Sequence, residues 1–135
     1  MQISTFEFQI HTTKREEFIP VSEQISSYLK QSKIQNGFCK IFVPHTTAAI
    51  TINENADPDV TEDITNYLNE LIPIKREFHH VEGNSDAHIK SSLIGVTLDV
   101  PICYGHFVLG QWQGIYFVEC DGPRNRRIIL QFYGE

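Results

Sequence analysis

The chain has 135 residues, a formal net charge of −6, and 41% hydrophobic and 21% charged residues, the make-up of one globular domain with a real core. No apolar run is long enough to span a bilayer, which excludes a transmembrane helix. The acidic balance argues against general nucleic-acid binding, which needs a basic footprint. The opening stretch MQISTFEFQIHTTK alternates apolar and polar residues and lacks a signal peptide's continuous apolar core, so the expected location is cytoplasmic. Cys39, Cys103 and Cys120 are odd in number and widely spaced, which suggests buried reduced thiols rather than a disulfide framework.

In chain order, Phe6, Phe8 and Ile10 share one face of an opening strand. A helix is predicted from about Pro20 to Ile34, with Val21, Ile25, Tyr28 and Leu29 near helical spacing and Asn36-Gly37 as its stop. FCKIFVPH and TTAAITINE read as two strands broken at Pro44-His45. The second helix has Asp57 as N-cap and Pro58 at its first position, an apolar stripe of Val60, Ile64, Leu68 and Leu71, and Pro73 as its end.

Residues 74–87 read as an extended segment and polar loop, and AHIKSSLIG as a candidate short helix. The last third, VTLDVPI, HFVLGQWQ, GIYFVEC and RRIILQFYG, reads as strands in an antiparallel meander. Helices near the front and strands at both ends predict a single α+β domain over residues 1–135, with largely antiparallel sheets packed against two or three helices.

Three histidines stand at element ends among small or polar residues: His45 after a proline, and His80 and His88 around the loop VEGNSD. Three imidazoles with an open position are one way to hold a catalytic metal such as zinc. No HExxH or tight HxH supports this, and the competing reading is of solvated or hydrogen-bonded histidines. His11, His79 and His106 are assigned to that second reading.

Glu54 is a candidate metal ligand or acid-base group, whereas Asp57 is explained as a helix cap. Thr46 and Thr47 are candidate anion ligands. Lys90, Arg124 and Arg126 are candidate phosphate ligands, Arg being suited to bidentate contact. Trp112 and Gln113 lie between two glycines, where a ligand can approach. Walker, GxGxxG and GxSxG motifs are absent.

Four blocks in order, PHTTAAITINENADPDV, HVEGNSDAHIKSSLIG, LGQWQGIYFVE and DGPR, resemble the YjbQ family, whose members are often labelled secondary thiamine-phosphate synthases. The resemblance runs from about Phe6 to Gly134. It implies packed, largely antiparallel sheets with helices, a homotrimer, and a histidine pocket near the subunit contacts. Matched residue by residue, it implies a shared site of His45, His80 and His88, with Glu54 and the pair Trp112 and Gln113 in family blocks.

The implied activity joins a hydroxymethylpyrimidine diphosphate to a thiazole phosphate and releases pyrophosphate. That assigns Glu54 and His88 as catalytic candidates, and Thr46, Thr47, Asn84, Lys90, Trp112, Gln113 and Arg124 as ligand contacts. The cofactor would be a divalent metal, either zinc or, with a diphosphate substrate, magnesium. The partner would be a small phosphorylated or heterocyclic molecule. One departure lies in CYGHFVLG, where His106 takes a place that is more usually basic in the family. The alternatives are a non-enzymatic anion-binding trimer and a metal-dependent hydrolase.

Overall fold

The computed structural model describes residues 1–75 and 77–135. Eight strands and three helices follow in order: β1 (Gln2–His11), β2 (Glu17–Pro20), α1 (Ser22–Ser32), β3 (Gly37–Phe42), β4 (Ala48–Glu54), α2 (Pro58–Leu71), α3 (Ser85–Ile94), β5 (Thr97–Cys103), β6 (His106–Phe107), β7 (Gln113–Glu119) and β8 (Asn125–Gly134). The strands form two antiparallel sheets, one ordered β1-β8-β3-β5-β6 and the other β2-β7-β4. The predicted α+β class holds.

One core lies between the sheets. β1 contributes Ile10, β3 Cys39 and Ile41, β5 Val100 and Ile102, and β8 Ile128, Leu130 and Phe132. The smaller sheet faces them with Ile50, Ile115 and Phe117, and α1 adds Ile25 and Leu29. A second cluster, Ala49, Ala87, Val118 and Cys120, packs α3 onto the other face of the smaller sheet. β7 therefore has a packed layer on each side. That explains why GIYFVEC reads as a continuous apolar run instead of an alternating one. Burial pushes the Cys39 and Cys120 thiols up to about 12, so both stay protonated; Cys103 is exposed.

The meander is corrected. Among the described residues of the last third, β5 and β6 alone form a hairpin, while β7 crosses to the smaller sheet and pairs with β2 and β4. Every strand of the C-terminal third is rich enough in apolar residues to sit in either sheet, so local pattern does not choose its partner. The first helix begins at Ser22 because Glu17–Pro20 is taken up as an edge strand against β7. It stops at Lys33, which adopts the left-handed conformation, not at Gly37. Gly37 instead opens β3, where a Cβ would meet the Tyr133 carbonyl oxygen at 1.8 Å.

The second helix forms as its caps predict, with the Asp57 side chain accepting from the Asp59 N–H. Its apolar stripe is not buried: none of its residues lies in the core, and Tyr67 and Leu71 are exposed. Among the described residues, no helix is long and apolar enough to cross a membrane.

Candidate functional site

The chain leaves the larger sheet at Phe42 and enters the smaller at Ala48. The crossover, residues 43–47, runs beside the start of β8. It is pinned at one end by the Val43 N–H donating to the Val96 carbonyl, and at the other by the Cys120 N–H donating to the Thr47 carbonyl. A cleft of about 530 Å³ opens between this crossover, the loop before α3 and the turn before β8, a size suited to a small ligand. Its walls include His45, Thr46, Thr47, His80, Asn84, His88, Arg124 and Arg126, all predicted from sequence, together with Glu82.

The imidazoles differ in what they offer. His80 and His88 stand 5.2 Å apart between ring centres and nearly perpendicular. The polar loop does fold its two flanking histidines together. His45 is committed elsewhere: its Nε2 accepts a 3.0 Å hydrogen bond from the Arg127 backbone N–H. An accepting nitrogen carries no proton, so the neutral ring holds its proton on Nδ1. Burial, and after it the nearby Arg126 and Arg127 cations, lower the His45 pKa and favour this neutral form. His45 therefore presents a cleft ligand with an N–H donor and no free lone pair.

This arrangement does not fit a three-histidine metal site, because metal ligation needs a lone pair on each ring. Among the described residues, no group of three or more His, Cys, Asp or Glu side chains is placed to hold a metal.

The cationic wall is built from ion pairs. Arg126 is 5% exposed and forks onto the buried Glu119, its Nε lying 2.8 Å from Oε2. Its Nη2 also donates to both the carbonyl and the hydroxyl of Thr47. Glu119 accepts in addition from the Thr12 hydroxyl and the Asp121 N–H. Burial alone would raise the Glu119 pKa, but Arg126 and these donors hold it below the usual carboxylate range. Arg124 is half exposed and tied to Asp121 at 2.8 Å. Asp121 also accepts from the Asn84 amide at 2.7 Å, which fixes the amide's orientation and leaves its buried Oδ1 without a partner among the described residues.

Three of the predicted ligand contacts lie elsewhere. Lys90 is 2% exposed and faces away from the cleft, its Nζ bound to Glu16 at 2.9 Å and to the Asn69 side chain at 2.6 Å. Together with the buried Asp86 and the partly exposed Arg15 it forms a charge cluster that holds α3 to the β1–β2 loop, and its bond to Asn69 ties α3 to α2. Trp112 and Gln113 lie at the far end of the smaller sheet. There Trp112 is 57% exposed and Gln113 accepts from the Gly110 N–H. Glu54, the other catalytic candidate beside His88, pairs with Gln113 in the sheet register and does not line the cleft. His11 bonds the Asn125 side chain. His79 and His106 are outside the cleft walls.

Reasoning from sequence missed Glu119, Asp121 and Glu82. The first two were hidden in an apolar run and a turn, and their only signal was the nearby RNRR, which needs counter-charges.

The family model described as UPF0047 protein YjbQ-like matches residues 6–135. A UPF0047 protein of Methanocaldococcus jannaschii is 52% identical over 130 residues, covering 96% of this chain and 94% of the relative. The UPF0047 protein YugU of Bacillus subtilis is 46% identical over 127 residues, covering 93% and 96%. A crystal structure of a YjbQ/UPF0047-family protein from Clostridium acetobutylicum superposes with a TM-score of 0.93 at 44% identity, covering 95% of this chain and 99% of that one. A YbjQ-like protein of unknown function from Sulfolobus solfataricus gives a TM-score of 0.95 at 33% identity, covering 99% of both. With residues 6–135 matched by the family model and the fold shared, this chain belongs to the YjbQ/UPF0047 family.

Proposed function

We propose that the cleft binds a small phosphorylated molecule, held by Arg124, the His45 N–H and the threonines, with the His80–His88 pair beside the reacting group. The observation that carries this reading is that His45 offers a donor while guanidinium groups line the same wall. Donors and cations together suit a phosphoryl oxygen. The reaction proposed, through the family resemblance, is thiamine-phosphate synthesis. The thiazole nitrogen forms a C–N bond to the exocyclic methylene of the pyrimidine as the methylene C–O bond breaks and pyrophosphate leaves, and a histidine of the pair donates a proton to the departing diphosphate.

The first test is calorimetric titration of chelator-treated protein with inorganic pyrophosphate. Saturable binding is expected, weakened about tenfold or more in Arg124→Ala, the loss of one charge-assisted contact. Equal binding by that variant sinks the anion reading. Pyrophosphate release from the two substrates, abolished in His88→Ala, supports the synthase. No turnover above background leaves an anion-binding module.

A second reading, a metal-dependent synthase or hydrolase, is favoured by the His80–His88 pair alone, since two rings at 5.2 Å can converge on one ion. Elemental analysis decides it. About one zinc per chain, lost in His80→Ala and His88→Ala, establishes a metal; a metal-free protein with full pyrophosphate binding removes it.

We further propose a homotrimer. Its support is the resemblance and the uncovered apolar side chains Tyr67, Leu71 and Ile74. Light scattering at a monomer mass overturns it.

A further inference from the structure

The cleft has a neighbour. A second hollow of about 420 Å³ lies against α3 and the residues that follow it, and it shares His45, Thr46, His88 and Val96 with the first. Its remaining walls are Ser91, Ser92 and Gly95.

The two hollows differ in chemistry. Every charged wall residue, Glu82, Arg124 and Arg126, belongs to the first; the second has none. Its serine hydroxyls are already spent, Ser91 donating to the Ala48 carbonyl and Ser92 to the His88 carbonyl. Gly95 turns the chain out of α3 at a φ of 98°, and a Cβ built there meets no atom within 4 Å, so the floor opens onto free space. A charged chamber and an uncharged chamber thus meet at one pair of histidines.

We infer that the second hollow takes the uncharged, carbon-rich part of the phosphorylated ligand whose phosphate occupies the first, so that His45 and His88 flank the bond joining the two parts. This rests on the phosphate reading above. A phosphate ester needs donors at one end and an uncharged wall at the other, because covering apolar surface is favourable where no charge has to be stripped of its water. The molecule supplies both, and His45, Thr46, His88 and Val96 line the two hollows in common.

The test compares inorganic phosphate with phenyl phosphate by calorimetry, in the wild type and in Ser92→Trp. Ser92 is exposed on α3, so an indole there fills the hollow without entering the core. Wild type is expected to prefer phenyl phosphate by roughly tenfold. Ser92→Trp should abolish that preference while leaving the inorganic phosphate affinity within about twofold, since the phosphate contacts are untouched. Should Ser92→Trp fold poorly, Ser92→Leu is the smaller wedge, expected to remove part of the preference.

Equal affinities in wild type, or a preference surviving both wedges, overturn the inference. A neutral probe, benzyl alcohol followed by NMR, separates this failure from failure of the phosphate reading. If neither phosphate binds, the anion reading falls. In that case Val96 shifts with benzyl alcohol that vanish in Ser92→Trp keep the uncharged chamber, and their absence removes it too.

Discussion

His45 shows how one hydrogen bond sets a side chain's chemistry. By accepting from the Arg127 N–H it loses the lone pair a metal would need and keeps a donor for an anion. His45→Ala orphans that N–H and is expected to cost about 1 kcal/mol, read from denaturant midpoints. His45→Gln, whose carbonyl can accept the same N–H, should recover much of it; equal losses in both variants contradict the assigned role.

Beneath it, Glu119 and Arg126 are a buried pair, and buried pairs are asymmetric in their energetics. Arg126→Met strands a buried carboxylate and should destabilise by roughly 3–5 kcal/mol. Adding Glu119→Gln should return part of that loss, because the two groups are in contact and their effects do not add. A double variant as unstable as the sum of the singles rules the pairing out. Lys90 differs in that its carboxylate partners are not left alone. In Lys90→Met both Asp86 and Glu16 keep Arg15, so the loss should be smaller, about 1.5–3 kcal/mol for the charge-assisted hydrogen bond to Glu16. Inorganic phosphate binding by the remaining folded protein should be unchanged, whereas a phosphate ligand role demands that binding be lost.

Among the elements, α3 is the one whose form follows least from local pattern. It carries no apolar stripe, and its buried face is Asp86, Ala87, Lys90 and Ser91. Apart from Ala87 against the smaller sheet, a helix with such a face is held by charge pairing and a hydrogen bond to β4. The same helix delivers His88 to the cleft, so its seating and the site are linked. Asp86→Asn keeps shape but weakens the pairing with Arg15 and Lys90. Hydrogen exchange across Ser85–Ile94 is expected to quicken while the β8 amides stay protected. Uniform exchange would place α3 in the global unfolding unit.

β3 makes the opposite point, since Gly37 passes so close to Tyr133 that only hydrogen fits. The apolar pattern of FCKIF found that strand, but the contact that demands the glycine comes from a residue almost a hundred positions away.

For the whole molecule, the titrating groups that the fold perturbs point to loss of stability in acid. Glu119 and Asp121 have lowered pKa values, so their contribution is complete above their ordinary 4.5 and 3.8 and fades as pH falls toward the lowered folded values. His45 adds in the same direction. Its folded pKa lies below 6.5, so the unfolded chain takes up a proton first and stability begins to drop as pH falls through 6.5. The melting temperature should decline gently below about pH 6.5 and steeply below about 4.5, with the steep limb shallower in Glu119→Gln. A profile flat from pH 7 to 4 contradicts the ionised buried pair.

What the chain determined by itself was whatever short-range chemistry controls. Asp57-Pro58 set the start of α2, alternation set β1, and the short polar loop around Gly83 brought His80 beside His88. Those outcomes depend on neighbours a few residues apart, where spacing is fixed by covalent geometry. Partner choice was not of that kind. Whether β7 joined one sheet or the other, whether Lys90 faced a ligand or Glu16, and which nitrogen of His45 remained free were decided by groups distant in sequence. Burial made the choice in each case, because a charge or N–H removed from water must find a partner, and only the assembled fold says which one lies within reach.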